Sequence, residues 1–284
     1  MTEKVGYLGP GKVTFGYMAA EKCFQEQAVE FVPFLSHNEV CDAVTQDLTD
    51  YGVVAAENVI EGPVTETIYA IEKFHREFGL RICGEVEIPI ELFLLRKINN
   101  ESLPKKLASH AIGIRQCERV VRELQSKGVT VEVVESTGRA AQIASENSDY
   151  AALASVKAEE EFGLARLRPE SVADNRNNFT RFWVVGMRNL QWLGSKKTCF
   201  LVNLDQKTPG VLCKTLGPFA KRRINLLIIT PLPIPGRKWE YTFMLEFAGH
   251  IRDHEMNEAY EELRNSGTCV GAPLVLGSYP ATQD

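Results

Sequence analysis

The chain has 284 residues, a length that is generous for one domain and suits two. Hydrophobic residues make up 44% and charged residues 24%, as in an ordinary globular protein, and the net charge of −5 argues against nonspecific binding of nucleic acid. Apolar runs stay shorter than the roughly 18 residues that a membrane span needs, so we expect a soluble protein.

The cysteines argue for a reducing compartment. Seven cysteines are scattered along the chain, with no CxxC pair and no histidine at the spacing of a zinc site. The N-terminal sequence MTEKVGYLGPG lacks the basic and then apolar order of a secretory signal. Because thiols stay reduced in the cytoplasm, we expect a cytoplasmic protein.

Strands and helices alternate through the first part of the chain. A predicted strand over 5–8 runs into a glycine turn over 9–11, and a predicted helix over 18–24 follows. This order can present backbone N–H groups and a helix N-terminus to an anion, although glycine turns are common in α/β chains. The next predicted elements are a strand over 30–34, a helix over 38–45, a strand over 52–56 and a helix over 65–74.

Polar residues follow the predicted strand over 52–56. Glu57 and Asn58 come directly after its apolar residues. In open α/β sheets, ligands bind at the carboxyl ends of the strands, so these two side chains are candidates for a site. Capping of the next helix is an equally reasonable role for them.

The middle of the chain continues the alternation and predicts two α/β lobes with a cleft between them. Ser136 or Thr137 is a good N-cap for a helix of small residues that extends to Ser145. A lone histidine such as His110 is more often a hydrogen-bonded structural residue than a catalyst. The predicted elements are strand-like runs over 88–90 and 92–95, a helix over 120–124, a strand over 129–135, a strand over 150–154 and a helix over 156–162.

The stretch from 174 to 186, DNRNNFTRFWVVG, places hydrogen-bonding side chains directly before an apolar run. The run over 182–185 predicts a buried strand, and the Asn and Asp residues before it predict a turn. Thr180 and Arg181 would then lie at the mouth of the strand, where a hydroxyl and a guanidinium could face a ligand. The alternative is a turn that carries Arg181 on the protein surface.

The pattern begins again after a polar join at 190–197. The later elements follow the order βαββαβ, which predicts a ferredoxin-like unit. We therefore predict two domains, 1–190 and 195–284. The C-terminal elements are strands over 198–204, 225–229, 239–247 and 268–276, helices over 211–222 and 254–266, and a proline-rich connection over 231–236.

Taken together, these motifs resemble a prephenate dehydratase followed by an ACT regulatory domain. The strongest element is NFTRFWVVG, which is similar to the N-x-T-R-F strand of that family. One such motif would be a weak signal, whereas the ordered set extends over nearly the whole chain. The other matches are Glu57-Asn58 with Glu61-Gly62 and Val64, Ser109-His110 with Gln116-Cys117, Ser136-Thr137 with Ala140-Ala141, Pro209-Gly210-Val211-Leu212, and Arg223-Ile224-Asn225-Leu226.

The resemblance implies a fold and an activity. The fold would be a two-lobed α/β catalytic domain, similar to periplasmic binding proteins, with a βαββαβ ACT domain at the C-terminus. The activity would be the decarboxylating dehydration of prephenate to phenylpyruvate in phenylalanine biosynthesis, a lyase reaction that calls for no metal, nucleotide or redox cofactor. Prephenate carries two carboxylates and a ring hydroxyl, and aromatisation of the ring drives the loss of the hydroxyl and of CO2.

The resemblance also implies roles for individual residues. Thr180 would act on the leaving hydroxyl, with Glu57 and Asn58 as catalytic partners, although a carboxylate at Glu57 would repel the substrate unless it is protonated or turned away. Arg181 could clamp a substrate carboxylate, and neutral donors suit the carboxylate that is lost. The implied substrate-binding residues are Arg181, Phe182, Ser109, His110, Gln116, Ser136, Thr137 and Thr14.

The C-terminal motifs imply an amino-acid effector site and an oligomer. The residues expected at the effector site are Gly210, Val211, Leu212, Asn225 and Leu226. The acid and the arginine of the E-S-R-P effector motif are replaced at 230–233, which predicts weak or absent inhibition by phenylalanine. ACT units often pair, so we expect a homodimer or homotetramer, with aromatic residues over 239–247 either at the interface or in the core.

Departures from the family pattern keep other functions open. Gly16, Val59 and Ile112 stand where the family has Ser, Ser and Gln, and Lys12 is added in the first loop. Loss of polar groups can change the selectivity of a pocket. The runner-up is a relative from secondary metabolism, such as a nonaromatising prephenate decarboxylase. Arogenate stays open as the substrate, and a noncatalytic ligand sensor is the third candidate.

Overall fold

The structure, a computed structural model, describes residues 2–98, 102–188 and 196–281. Its strands are β1 (Glu3–Leu8), β2 (Val29–Phe34), β3 (Tyr51–Asn58), β4 (Gly62–Pro63), β5 (Arg81–Pro89), β6 (Phe93–Lys97), β7 (Lys106–Ser109), β8 (Thr130–Val133), β9 (Tyr150–Ala154), β10 (Leu164–Arg166), β11 (Phe179–Gly186), β12 (Lys196–Asn203), β13 (Leu226–Pro233), β14 (Tyr241–Ala248) and β15 (Leu274–Pro280). Its helices are α1 (Phe15–Phe24), α2 (His37–Thr45), α3 (Thr65–Phe78), α4 (Ala111–Gln116), α5 (Glu118–Ser126), α6 (Thr137–Glu146), α7 (Val156–Phe162), α8 (Val211–Lys221) and α9 (His254–Asn265).

The chain forms two compact units, and several strands run through both of them. Unit 1 comprises Met1–Ser36, Glu57–Gly62 and Glu87–Phe182. Unit 2 comprises His37–Ala56, Pro63–Val86 and Trp183–Asp284. The predicted domain boundary between 190 and 195 lies outside the described residues, so the split into 1–190 and 195–284 stays a prediction.

Unit 1 contains a five-stranded sheet in the order β10-β6-β9-β7-β8 and the parallel pair of β1 and β2. Strand β7 is parallel to β8 and β9, while β6 is antiparallel to β9 and β10. Helix α6 buries Ala140, Ala141 and Ala144 in the same core as Ala152 of β9. Small side chains on both elements let the helix pack closely on the sheet, and this fixes the position of the α6 N-terminus.

Unit 2 contains the C-terminal four-stranded sheet in the order β13-β14-β12-β15. Adjacent strands in it are antiparallel. The core includes stacked rings of Phe219 and Phe247, with centroids 3.9 Å apart. The βαββαβ order and the α/β class predicted from the sequence are confirmed. Phe247 lies in the core, whereas Trp239 is 74% exposed.

Several element boundaries differ from the sequence prediction. The strand predicted over 182–185 begins at Phe179, and the connection predicted over 231–236 is part of β13 as far as Pro233. Proline is tolerated there because β13 lies at the edge of its sheet. The final strand is Leu274–Pro280, and Cys269 forms only an isolated bridge with Leu204. Helix α4 and strand β10 were not predicted.

The surface of β5 is approached closely by the C-terminal sheet within unit 2. A Cβ atom placed on Gly277 of β15 would lie 2.2 Å from the backbone oxygen of Ile82. The missing side chain therefore allows the two backbones to meet.

Among helices in the described parts of the chain, none is long and apolar enough to cross a membrane.

The buried histidine His37, at the start of α2, predicts a pH dependence of stability. Its side chain is 6% exposed, and burial lowers the pKa of the imidazole to about 4. In the unfolded chain His37 is protonated near pH 6.5, whereas in the folded chain it stays neutral until about pH 4. The free energy of unfolding should therefore fall between pH 6.5 and 4, by at most about 3 kcal/mol from this group.

Urea unfolding of the wild type and of His37→Gln at several pH values tests this expectation. The variant should show a shallower loss of stability on acidification. His254→Gln is the matched control, because the side chain of His254 is 79% exposed on α9 and its removal should leave the slope unchanged. An equally steep acid loss in His37→Gln would rule out His37 as its source.

Candidate active site

Asn58, the last residue of β3, has its side-chain amide held in one orientation. Its Oδ1 atom accepts hydrogen bonds from the backbone N–H groups of Ile60, at 2.9 Å, and Glu61, at 3.0 Å. The loop after β3 thus folds back on the Asn58 oxygen. Asn58 therefore caps the turn that follows β3, whereas the sequence suggested that it could cap the next helix. Since the oxygen faces two donors, the Asn58 amide nitrogen must point the other way.

The Asn58 amide nitrogen points at the start of β11. Nδ2 donates to Thr180 Oγ1 at 2.9 Å, to Asn178 Oδ1 at 2.8 Å and to the backbone oxygen of Phe179 at 3.0 Å. Thr180 is 9% exposed. The Thr180 hydroxyl oxygen accepts a hydrogen bond from Asn58, which leaves the hydroxyl hydrogen of Thr180 available for donation. Two residues 122 positions apart in sequence therefore form one polar pair, which brings two of the predicted site residues together.

Glu57 and Arg181 form a second pair between the same two strands. The guanidinium Nη2 of Arg181 lies 3.4 Å from Glu57 Oε2, and the Arg181 side chain is only 8% exposed. The alternative that placed Arg181 on the surface is wrong. Successive side chains of a strand point to opposite faces, so Arg181 and Thr180 leave β11 in opposite directions. Both residues lie near the start of β11, as its second and third residues, but on opposite faces of the strand.

Two of the predicted substrate-binding hydroxyls and the histidine make local structural hydrogen bonds. Thr14 caps α1 by accepting from the Tyr17 N–H at 3.2 Å, and Ser136 caps α6 by accepting from the Arg139 N–H at 3.0 Å. His110 Nδ1 accepts from the Ile112 N–H at 3.3 Å and caps α4. The structural reading of these residues is therefore supported. For His110 it leaves Nε2 as a second ring nitrogen.

The remaining predicted residues differ in their access to solvent. Ser109 is fully buried and donates to the backbone oxygen of Leu153 at 3.0 Å, while Phe182 is 4% exposed. Gln116 and Thr137 are partly exposed. Burial thus separates Ser109 and Phe182 from the side chains that could reach a ligand.

The turn before β11 is anchored to the start of α5. The Asp174 N–H donates to the Gln116 backbone oxygen at 2.7 Å, and the Asp174 carboxylate accepts from Arg119 Nε at 2.9 Å. Within the turn, the Asn177 N–H donates to Asn175 Oδ1 at 2.9 Å. This confirms the turn predicted from the Asn and Asp residues. It also brings Gln116 next to the segment that carries Thr180.

The loop after β3 and helix α4 are joined by an exposed ion pair. Arg115 Nη2 lies 3.1 Å from Glu61 Oε2, and these side chains are 58% and 37% exposed. Val59 is 63% exposed and Ile112 is 37% exposed. Two of the three positions that depart from the polar residues of the family pattern are therefore accessible to solvent, whereas the third, Gly16, is buried.

Asn178 is the residue at the site that was not assigned a role from the sequence. It is 2% exposed, and its Oδ1 accepts from Asn58. Its Nδ2 is buried, with no hydrogen-bond partner in the described part of the chain. An unpaired buried donor costs roughly 1–3 kcal/mol, so it needs a reason to be kept. The sequence did contain a pointer to Asn178, because this residue is the first of the NFTRF motif.

Comparison with known proteins gives consistent matches. The family model described as prephenate dehydratase matches residues 5–190. A bifunctional chorismate mutase/prephenate dehydratase of Aquifex aeolicus is 36% identical over 98% of this chain and 73% of its own. A prephenate dehydratase of Bacillus subtilis is 32% identical over 99% of both chains. The crystal structure of an Arthrobacter aurescens prephenate dehydratase in complex with L-Phe superposes with a TM-score of 0.84, at 28% identity, over 98% of this chain and 89% of that one.

Proposed function

The chain belongs to the prephenate dehydratase family, and we propose that it converts prephenate to phenylpyruvate in phenylalanine biosynthesis, releasing water and CO2. One observation in the structure carries the proposal. Asn58 donates to Thr180 Oγ1 at 2.9 Å, so that the Thr180 hydroxyl keeps its hydrogen for an acceptor outside the pair. The reaction needs such a donor at the ring hydroxyl.

The proposed chemistry follows from the electron flow in the substrate. Thr180 donates its proton to the ring hydroxyl, and the C–O bond breaks to release water. The bond between the ring and its carboxylate breaks to release CO2, and its electron pair completes the aromatic ring. The Asn58 N–H stabilises the negative charge that develops on Thr180 Oγ1, which regains a proton from solvent. Asn58 is neutral, so it adds no cation that would hold the departing carboxylate.

The two charged residues of the site receive a different role in this proposal. The guanidinium of Arg181 lies beside Glu57 and offsets its charge on the face opposite Thr180. This pairing removes the repulsion expected between Glu57 and an anionic substrate. We propose His110, Gln116 and Thr137 as the donors to the substrate carboxylates, because these side chains are partly exposed. Ser109 and Phe182 support the site from the core.

An ultraviolet spectrum of purified protein incubated with prephenate tests the function. The appearance of phenylpyruvate supports the proposal. Loss of CO2 without an aromatic product would favour a nonaromatising prephenate decarboxylase. Unchanged prephenate that still binds would favour a ligand sensor. The same assay with arogenate decides between the two dehydratase substrates, since only the side chain of the substrate differs.

We propose that the βαββαβ unit is an ACT-type regulatory domain and that the protein is a cytoplasmic homo-oligomer. The seven cysteines form no disulfide in the part of the chain that the structure describes, which suits a reducing compartment. Strand β13 lies at the edge of its sheet and exposes Leu227 and Ile229, each by 40%. An exposed edge with apolar side chains is a surface on which a second copy could pair.

Phenylalanine should inhibit this enzyme weakly or not at all. The segment over 230–233 contains no acid and no arginine to pair with a zwitterionic amino acid, and Leu232 within it is fully buried. Initial rates with and without added phenylalanine measure the effect. The Arthrobacter protein, which was crystallised with L-Phe, serves as the positive control for binding. An ordinary inhibition curve would contradict the expectation.

A further inference from the structure

Asn178 lies directly before β11 and is locked in place on two sides. Its backbone oxygen accepts from the Ile90 N–H at 2.8 Å, and its Oδ1 accepts from Asn58 Nδ2 at 2.8 Å. The side chain is 2% exposed. Among the residues that the structure describes, the side chain of Asn178 is thus connected to Thr180 through Asn58, and its backbone is fixed.

The orientation of the Asn178 amide follows from that of Asn58. The Asn58 oxygen faces the N–H groups of Ile60 and Glu61, so the Asn58 nitrogen must face Asn178. If the Asn178 amide were flipped, two donors would meet. Asn178 must therefore present its oxygen to Asn58, and its own Nδ2 remains buried without a partner among the residues that the structure describes.

Asn178 thus keeps its buried, unpaired Nδ2 group, which is unfavourable, and in return offers its Oδ1 atom as an acceptor to Asn58. An apolar side chain of the same shape would remove the unpaired donor. It would also release Asn58 Nδ2, whose two hydrogens serve three acceptors within 3.0 Å. With the Asn178 oxygen in place, one hydrogen is bound there and the other is directed to Thr180 Oγ1 and the Phe179 oxygen. The Thr180 oxygen then accepts, and its own hydrogen stays available.

We propose that Asn178 is a positioning residue that aligns the Asn58 amide with the Thr180 hydroxyl, an inference that rests on the proposed function. It does not touch the substrate. Its contribution is the alignment of the proton donor, so its loss lowers kcat and leaves KM nearly unchanged. Misalignment of a catalytic group by about 1 Å can cost roughly a hundredfold in rate, and we expect a fall of about ten- to a hundredfold.

Asn178→Leu is the main test, with Asn177→Leu as the matched control. Both variants make the same change in the same turn, but Asn177 is exposed and Asn178 is buried. Asn178→Leu should lose kcat without losing resistance to urea, whereas Asn177→Leu should keep wild-type turnover. An unchanged kcat in Asn178→Leu, or a change confined to KM, would overturn the proposal.

Asn178→Asp supplies a readout that a purely structural role would not move. The protonated carboxyl has the shape of the amide and keeps an acceptor oxygen, while the ionised form adds a negative charge that opposes the negative charge developing on Thr180 Oγ1. Turnover of this variant should rise as the pH is lowered through the pKa of the new carboxyl. A pH profile parallel to that of the wild type would count against positioning. This arm also serves if the leucine variant fails to fold.

Failure of the positioning role can be separated from failure of the proposed function. If the wild type does not convert prephenate, the function fails, and the alignment is then tested without substrate. The side-chain amide resonances of Asn58 in an ¹⁵N-labelled sample report its hydrogen bonds. They should shift in Asn178→Leu and stay in place in Asn177→Leu. Unshifted Asn58 resonances in Asn178→Leu would refute the alignment itself.

Discussion

Replacing Thr180 with valine should lower kcat by about a hundredfold or more, with little change in KM. Valine keeps the shape of threonine and removes only the hydroxyl, so the proton donor is lost while the strand β11 is kept. Proton transfer by a positioned side chain contributes roughly 10²–10⁴-fold in rate. Thr180→Ser restores a hydroxyl and should retain more activity than the valine variant. Stopped-time assays of phenylpyruvate formation measure both.

A matched control exists in the C-terminal sheet. Thr242 of β14 is 6% exposed, close to the 9% of Thr180, and its hydroxyl bonds to the side chain of Asn203. Thr242→Val therefore also removes a Thr–Asn hydrogen bond from a buried strand position, although there the hydroxyl donates to Asn203 Oδ1. It should cost similar stability and leave kcat unchanged. Full turnover in Thr180→Val would show that another group protonates the leaving hydroxyl.

That Asn58 and Thr180 are candidates for the same site could be expected because their motifs occur in a recognisable order, whereas the hydrogen bond between them was not predicted. Both residues also follow or open strongly apolar strands, which single-sequence patterns detect well. An N-cap at Ser136 or Thr137 could be predicted because a cap depends on local sequence, and Ser136 is the residue that caps α6. Local sequence and motif order therefore nominate residues for the site, and the roles of those residues stay predictions.

The orientation of side chains could not be anticipated in the same way. The sequence pattern began β11 three residues late, because Phe179-Thr180-Arg181 lacks the apolar continuity of the residues after it. With the strand start misplaced, Thr180 and Arg181 were expected together, although strand geometry separates them. The part played by Asn178 depends on which way an amide at position 58 faces, and only the folded loop over 58–61 decides that.

Another feature that could not be predicted from the sequence is a cluster of buried charged side chains in unit 2. Lys197 of β12 lies 2.7 Å from Glu85 of β5 and 3.7 Å from Glu246 of β14, and the two carboxylate side chains are 1% and 0% exposed. The Tyr279 hydroxyl donates to Glu246 at 2.7 Å. The cluster ties β5 to the C-terminal sheet, and residues 112 positions apart meet in it.

Lys197→Met should lower the free energy of unfolding by about 3–5 kcal/mol. Methionine fills a similar volume but removes the cation that both buried carboxylates share, and breaking a buried ion pair on one side is strongly destabilising. The control is Lys105→Met. Lys105 pairs with Asp149 at 3.0 Å, but these side chains are 75% and 49% exposed, so the loss should be at most about 1 kcal/mol. Urea unfolding measures both variants.

A double variant separates lost charge compensation from lost packing. Adding Glu85→Gln to Lys197→Met removes one buried charge, so the double variant should be more stable than Lys197→Met alone. If packing of the lysine stem were the main term, the second change would give no recovery. Because β5 is hydrogen-bonded to β11 and Lys197 anchors β5 to the C-terminal strands, kcat should be measured in the same variants. The measurement is made without denaturant, at a temperature at which Lys197→Met remains folded. A fall in kcat under these conditions would mean that the cluster also stabilises β11, the strand that carries Thr180.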